Sequence, residues 1–304
     1  MSMFSRFFGK RDEDRQVGQL VANPKLEPLI GLDVLFADKP SLNSQNLSSA
    51  MRSFHSSMRS ANAEIEGALA EEGTMFGLVG WGKHVIRLVG FDLPMPQDAA
   101  EACIAPAHYP QDLKRRAREH KAHLLLYYAG SEDSIIERYV ALAALSGVLS
   151  KLGAIVVLNE AAHTSFPAAA LSGDGVGGDI LELLRTLPLL ILYCGFVKCE
   201  VEGIRGVWMR TYGCNLSGLP DFAAHAPGHD HGQRFFDMFD NILAYLRSSG
   251  SKLAPGHTAQ VGPDDYLRFR APTADERFLN SNGEIFVAET ISAGDVSGAT
   301  STKT

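Results

Sequence analysis

The amino-acid sequence predicts an α+β fold with antiparallel or mixed sheets, and three observations carry that expectation. Short apolar runs of strand length recur along the chain. Amphipathic stretches with three- and four-residue apolar spacing lie between them. The two kinds also follow the same order in both halves: strand, helix, hairpin, helix, strand. In the first half these occupy 29–37, 44–69, 75–91, 97–119 and 121–129; in the second, 153–158, 178–187, 189–213, 231–248 and 265–270. That order is the split βαβ, or ferredoxin-like, plan used twice in tandem, without visible repetition of residue identities. The expected organisation is a flexible tail at 1–24, a first α+β half at 25–130, and a second at 131–290. A bridging helix at 134–151 opens the second half, and a Ser-, Thr- and Gly-rich disordered tail follows at 291–304.

Each element has a local reason. Pro28 to Ala37 reads as a strand ended by Lys39-Pro40, after which Ser41 or Asn43 caps a helix through Leu47, Met51, Phe54 and Met58. Met75 to Phe91 holds two apolar runs broken at Trp81-Gly82-Lys83, which predicts a β-hairpin. Pro94 and Pro96 end it, because proline cannot continue a central strand. A helical stretch follows, with most of its charge over Asp112 to His120. His123 to Tyr128 is too apolar for a surface strand. Asp133 or Ser134 caps a buried helix ending near Gly153, and Ala154 to Leu158 is again a strand. After a short helix at Ile180 to Leu187, Leu189 to Val197 is the most strand-like run in the chain. Ile204 to Tyr212 pairs back with it. Gln233 to Leu246 carries Phe235, Phe239, Ile242 and Leu246 on one stripe, with Gly250 as its stop signal and Asp230-x-x-Gln233 as a capping-box pattern. Short strands at Tyr266 to Arg270 and Glu284 to Ala288 close the fold.

Composition excludes several classes of function. The chain has 304 residues, 45% of them hydrophobic, and a formal net charge of −7. It can bury a sizeable core, and it lacks the basic balance by which a general nucleic-acid binder neutralises phosphates. Cys103, Cys194, Cys199 and Cys214 form no C-x-x-C pair, so no zinc ribbon or thioredoxin-type motif is present. The N-terminus lacks the apolar run of a secretory signal. Phe4, Phe7 and Phe8 have the spacing of a membrane-surface helix, but Asp12, Glu13 and Asp14 cancel the nearby basic charge, which favours a loose tail. The longest apolar helix candidate, Tyr139 to Leu149, falls well short of the about 20 residues that cross a bilayer. A cytoplasmic protein with no transmembrane segment and no cofactor is the expectation.

Few residue groups suggest chemistry. His225, His229 and His231, with Asp230, lie within one Pro-Gly loop and are the weak candidates for a metal site. Against that, their spacing matches no standard helix-borne ligand pair. His120 and His123 flank a strand entry but fall on opposite faces of an extended chain, so joint acid–base work is disfavoured. The alternation of Ile204 to Tyr212 puts Trp208, Arg210 and Tyr212 on one face. That aromatic–Arg–aromatic row suits a protein interface or ligand recognition, and it also suits a core Trp with polar neighbours at a sheet margin. Gly173 to Gly178 matches G-x-G-x-x-G in letters only. The preceding strand ends at Leu158, about fifteen residues earlier, whereas a dinucleotide turn follows its strand directly. No G-x-S-x-G, H-E-x-x-H or Walker sequence occurs.

The C-terminal third carries a resemblance. Arg210-Thr211-Tyr212-Gly213-Cys214-Asn215-Leu216-Ser217-Gly218-Leu219-Pro220-Asp221-Phe222 precedes the amphipathic helix, and Gly256-His257-Thr258 and a strand ending in Arg268-Phe269-Arg270 come after it. Over residues 200–290 this resembles an uncharacterised bacterial family known as domain of unknown function 4261. Asp221 stands where that family favours Glu, and Cys214 where it favours Met. The resemblance implies a fold and no established activity. The sequence therefore predicts a protein-interaction or regulatory and assembly module, leaning away from catalysis. Its partner would be another protein or a second copy, bound through Trp208, Arg210 and Tyr212, with His120 and His123 as further binding candidates. The alternative is a metal-binding protein or hydrolase-like enzyme using His225, His229 and His231 or His120 and His123.

Overall fold

The computed structural model of the protein describes residues 20–292 and Gly294, apart from residues 68, 176 and 264. Both expected tails, at 1–24 and 291–304, therefore lie largely outside the described residues. The fold is α+β, with two sheets of antiparallel or mixed pairing and helices packed on them. The first sheet has seven strands: Gly31–Phe36 (β1), Asn62–Glu66 (β2), Thr74–Trp81 (β3), His84–Phe91 (β4), Ala122–Tyr128 (β5), Ala154–Asn159 (β6) and Thr164–Pro167 (β7). Their order is β2-β3-β4-β5-β1-β6-β7. The second has six: Gly195–Cys199 (β8), Val207–Tyr212 (β9), Asp221–Ala226 (β10), Thr258–Gln260 (β11), Tyr266–Arg270 (β12) and Ile285–Ile291 (β13), in the order β11-β12-β13-β10-β9-β8.

The chain divides into two compact units, and the division differs from the one expected. One unit runs up to Glu160 and takes in Ser165–Leu187; the other comprises Ala161–Thr164 and the chain from Pro188 on. The boundary expected at 130/131 moves because the helix Ile135–Ser150 belongs to the first unit. Every residue from Arg138 to Leu149 is buried, and the helix packs on β1, β5 and β6 within the first unit. A helix apolar all round needs partners on all sides, and one sheet plus the helices Ser44–Phe54 and Ile180–Thr186 supply them. Each fully buried Leu or Val contributes about 1.5–3 kcal/mol. The tandem ferredoxin-like topology does not hold either. A split βαβ unit would insert β1 between β4 and β5, whereas β5 pairs directly with β4 and β1 lies on its far side.

Local signals fared unevenly. Asn43 caps the first helix in a reciprocal box with Asn46, Ser134 caps the long helix, and Gly250 ends the last one in the left-handed conformation. The hairpin turns at Gly82-Lys83 as expected, with Trp81 opposite His84. The helix expected over 44–69 stops at Phe54, and β2 follows it. The stretch 97–119 is two helices, Gln97–Ile104 and Gln111–Arg118, with Pro110 at the N-cap of the second. Together they cover Leu35, Val156 and Leu158 on the sheet face opposite the long helix. Leu189–Leu192 is a helical turn after Pro188, and the strand begins only at Gly195. The Asp230–Gln233 capping box is absent: His231 occupies the N-cap, and Gln233 bonds Asp237 instead. No helix among the described residues is long and apolar enough to cross a membrane.

Candidate functional site

The predicted recognition row lies inside the second unit. Trp208 is 5% exposed and Arg210 2%, so neither offers an open surface. Arg210 donates to the carbonyls of Phe278 and Asn280, and its guanidinium carbon sits 4.0 Å from the centre of the Tyr212 ring. The Tyr212 ring in turn packs against His163, with centroids 4.4 Å apart and planes tilted by 34°. This part of the row is a buried clamp that holds the segment after the helical turns at Ala274–Leu279 to β9. Asp221 performs a similar task nearby. It accepts bonds from Thr211 Oγ1, the Cys214 backbone N–H and Ser281 Oγ, which fixes the loop between β9 and β10.

The histidines scatter. His120 is buried with both nitrogens engaged: Nδ1 donates to the Ala117 carbonyl and Nε2 accepts from the Met95 N–H. His123 donates from Nδ1 to the Leu93 carbonyl and stacks on Phe91. Burial pushes both imidazoles below their usual range, the two backbone bonds working the other way. His225 bonds the Arg205 carbonyl through Nε2, while His229 meets Glu200 at 2.8 Å. His231 lies at the surface, 4.0 Å from Asp230. No group of three or more His, Cys, Asp and Glu side chains among the described residues is placed to hold a metal ion. All four cysteines are free thiols.

One pair of predicted residues from different sets does converge. Trp208 and His225 are cross-strand neighbours on β9 and β10, with ring centroids 5.3 Å apart. They border a cavity of about 440 Å³ in the second unit, together with Ile204, Phe235, Arg270 and Val287. Half of the lining residues are apolar (Ile204, Trp208, Phe235, Val287 and Ala288) and the other half polar or charged. The charges at its edge are already matched. Arg270 grips Glu276 through both terminal nitrogens at 2.6 and 2.7 Å and reaches Glu289 through Nε at 2.6 Å. That pairing holds both carboxyls below the usual range. The Trp208 indole N–H is buried with no hydrogen-bond partner among the described residues, a costly state that calls for an acceptor. Ile204 at the rim is 39% exposed. No family model, curated protein or solved structure matches this chain.

Sequence reasoning missed one polar group in the first unit. Asp33 lies in the middle of β1, opposite Leu125 on β5 and Leu158 on β6, and is 8% exposed. Burial, the neighbouring Glu160 charge and a hydrogen bond to Glu160 push its carboxyl up to about 8. Tyr127 lies close by, its ring folded over Gly31, where a Cβ would stand 2.9 Å from the ring. The signal was present: Asp33 is the one charged residue in the run Gly31–Phe36.

Proposed function

We propose that this chain is a protein-recognition or assembly module without catalytic chemistry of its own, and that it binds through the cavity beside Trp208 and His225. The observation that supports this reading is the combination of one apolar wall, formed by Trp208, Phe235 and Val287, with charges already paired. Arg270 and Arg268 between them pair with Glu276 and Glu289, so a charged small molecule would find no free counter-charge there. An aliphatic or aromatic side chain from a partner would instead bury against Trp208, Phe235 and Val287, with exposed Ile204 extending the contact. Such anchors in aromatic-lined pockets dominate the energetics of protein interfaces. The likeness of residues 200–290 to an uncharacterised family carries no activity and leaves this reading unchanged.

Photo-crosslinking in cells tests it. A benzophenone amino acid at Thr290, which lines the cavity, should give one defined adduct. The same probe at Tyr245, exposed on the helix Gly232–Ser249, should give none. Ile204→Asp should abolish the Thr290 adduct while leaving the protein folded. An adduct of twice the chain mass would identify the partner as a second copy. Equal labelling at both positions, or a Thr290 adduct indifferent to Ile204→Asp, would overturn the proposal.

A further inference from the structure

A second cavity, of about 300 Å³, belongs wholly to the first unit. Its floor is the helix Ile135–Ser150, which contributes Val140, Ala141 and Ala144, and Trp81 forms one wall. Small floor residues make room for a ligand's apolar group, and an indole face beside them gives it a flat contact. The polar edge carries two cations, Lys83 and Arg185, and two carboxylates, Glu132 and Glu137, which cancel in formal charge.

These four charges are not equally committed. Arg185 clamps Glu137 with two bonds of 2.7 and 3.1 Å, so that pair is closed. Lys83 and Glu132 stand 3.9 Å apart, too far for a direct hydrogen bond, and the Lys83 side chain is 71% exposed. Glu132 is nonetheless held in place, because its Oε1 accepts the N–H groups of Asp133 and Ser134. Those bonds keep its carboxyl low and ionised.

The site is also built by close packing. Gly130 lies where a Cβ would meet the Lys83 carbonyl at 2.4 Å and the Tyr128 hydroxyl at 2.7 Å, so only glycine lets the hairpin tip approach. The Tyr128 hydroxyl accepts the Glu132 N–H and bonds His84 Nδ1 at 3.0 Å. That bond fixes the imidazole beside Trp81, with ring centroids 5.2 Å apart, and leaves Nε2 as the nitrogen without a partner among the described residues. Burial pushes the His84 imidazole below its usual range, with the charges of Glu132 and Glu137 working the other way. One fixed anion, one exposed cation, one unengaged ring nitrogen and an apolar slot thus meet in a single pocket.

We infer that this pocket binds a small zwitterion of the α-amino-acid type with an apolar side chain. The carboxylate pairs with Lys83, and the ammonium pairs with Glu132. The side chain lies against Trp81 and Leu181. A ligand of net charge leaves either Lys83 or Glu132 without a partner, whereas a zwitterion replaces one loose contact by two charge-assisted ones. The inference is independent of the recognition cavity in the other unit.

Calorimetry and saturation-transfer NMR on the full chain test it, with L-leucine and L-phenylalanine as probes. Two controls each lack one charge: 4-methylpentanoate and 3-methylbutylamine. The expected result is saturable binding of an amino acid, with both controls at least about tenfold weaker, the loss of one charge-assisted contact. Lys83→Met, an exposed change that leaves the packing intact, should weaken amino-acid binding to a similar degree, and Glu132→Gln should do so by removing the ammonium's partner. Absence of saturable binding of either amino acid up to about 10 mM, the millimolar limit of weak association, overturns the inference. Equal affinity for the single-charge controls, or an unchanged affinity in Lys83→Met, overturns it as well.

Discussion

Arg210 and Asp33 are charged residues taken into the interior by different routes. Arg210 meets two main-chain carbonyls through its terminal nitrogens and the face of Tyr212, while its buried Nε has no hydrogen-bond partner among the described residues. Asp33 is buried, which penalises its charged form, and the carboxylate of Glu160 beside it adds to that penalty. Its proton is therefore held more tightly in the folded protein than in the unfolded chain. The folded value of about 8 stands above the ordinary 3.8, so the native state binds the extra proton throughout that interval. The stability this contributes is complete below the ordinary value and is lost as pH rises through the folded one. Urea unfolding should show falling stability between about pH 4 and pH 8, and Asp33→Asn should flatten that slope. At pH 8 the variant should be the more stable protein. A parallel pair of pH profiles would contradict the assignment.

Among the elements, strand β8 shows how a neighbour fixes where a segment begins. Leu189 to Val197 reads as one strand by composition, but Pro188 opens a helical turn whose Leu189, Leu190 and Leu192 are buried. The strand starts at Gly195, where an added Cβ would stand 1.6 Å from the Ala162 carbonyl oxygen. Gly195→Ala should therefore cost at least about 3 kcal/mol, the upper part of the overpacking range, because backbone stands on the other side of the clash. Chemical denaturation measures it, and a loss below about 0.5 kcal/mol, the size of an ordinary surface change, would show that β8 begins elsewhere. The hairpin β3–β4 is the opposite case. Its turn residues and both apolar runs are local, and it forms where the sequence put it. The first helix had a legible start at Asn43 but no stop signal, since the chain after Phe54 turns to form β2 beside β3.

For the whole molecule, the placement of the helix Ile135–Ser150 decides the division of the chain. All seven strands of the first sheet lie before Pro188, and so does every helix that covers them. A fragment of residues 1–187 should accordingly keep a cooperative thermal transition and native-like far-UV circular dichroism. A fragment of residues 1–130 should not, because it lacks the buried helix and β6. Cooperative folding of the shorter piece would restore the boundary expected at 130/131.

The amino-acid sequence by itself determined the α+β class, the caps at Asn43, Ser134 and Gly250, the hairpin at Gly82, and the amphipathic stripe of the last helix. Those features depend on neighbours a few residues away, and their signals are local. Which strands pair, which side of Trp208 meets a cavity, and that Arg210 is enclosed while Ile204 is exposed were decided by tertiary structure. Alternation along β9 fixes only that Trp208, Arg210 and Tyr212 share a face. Whether that face meets solvent depends on segments far along the chain, such as Phe278 and Asn280, which no local pattern could place.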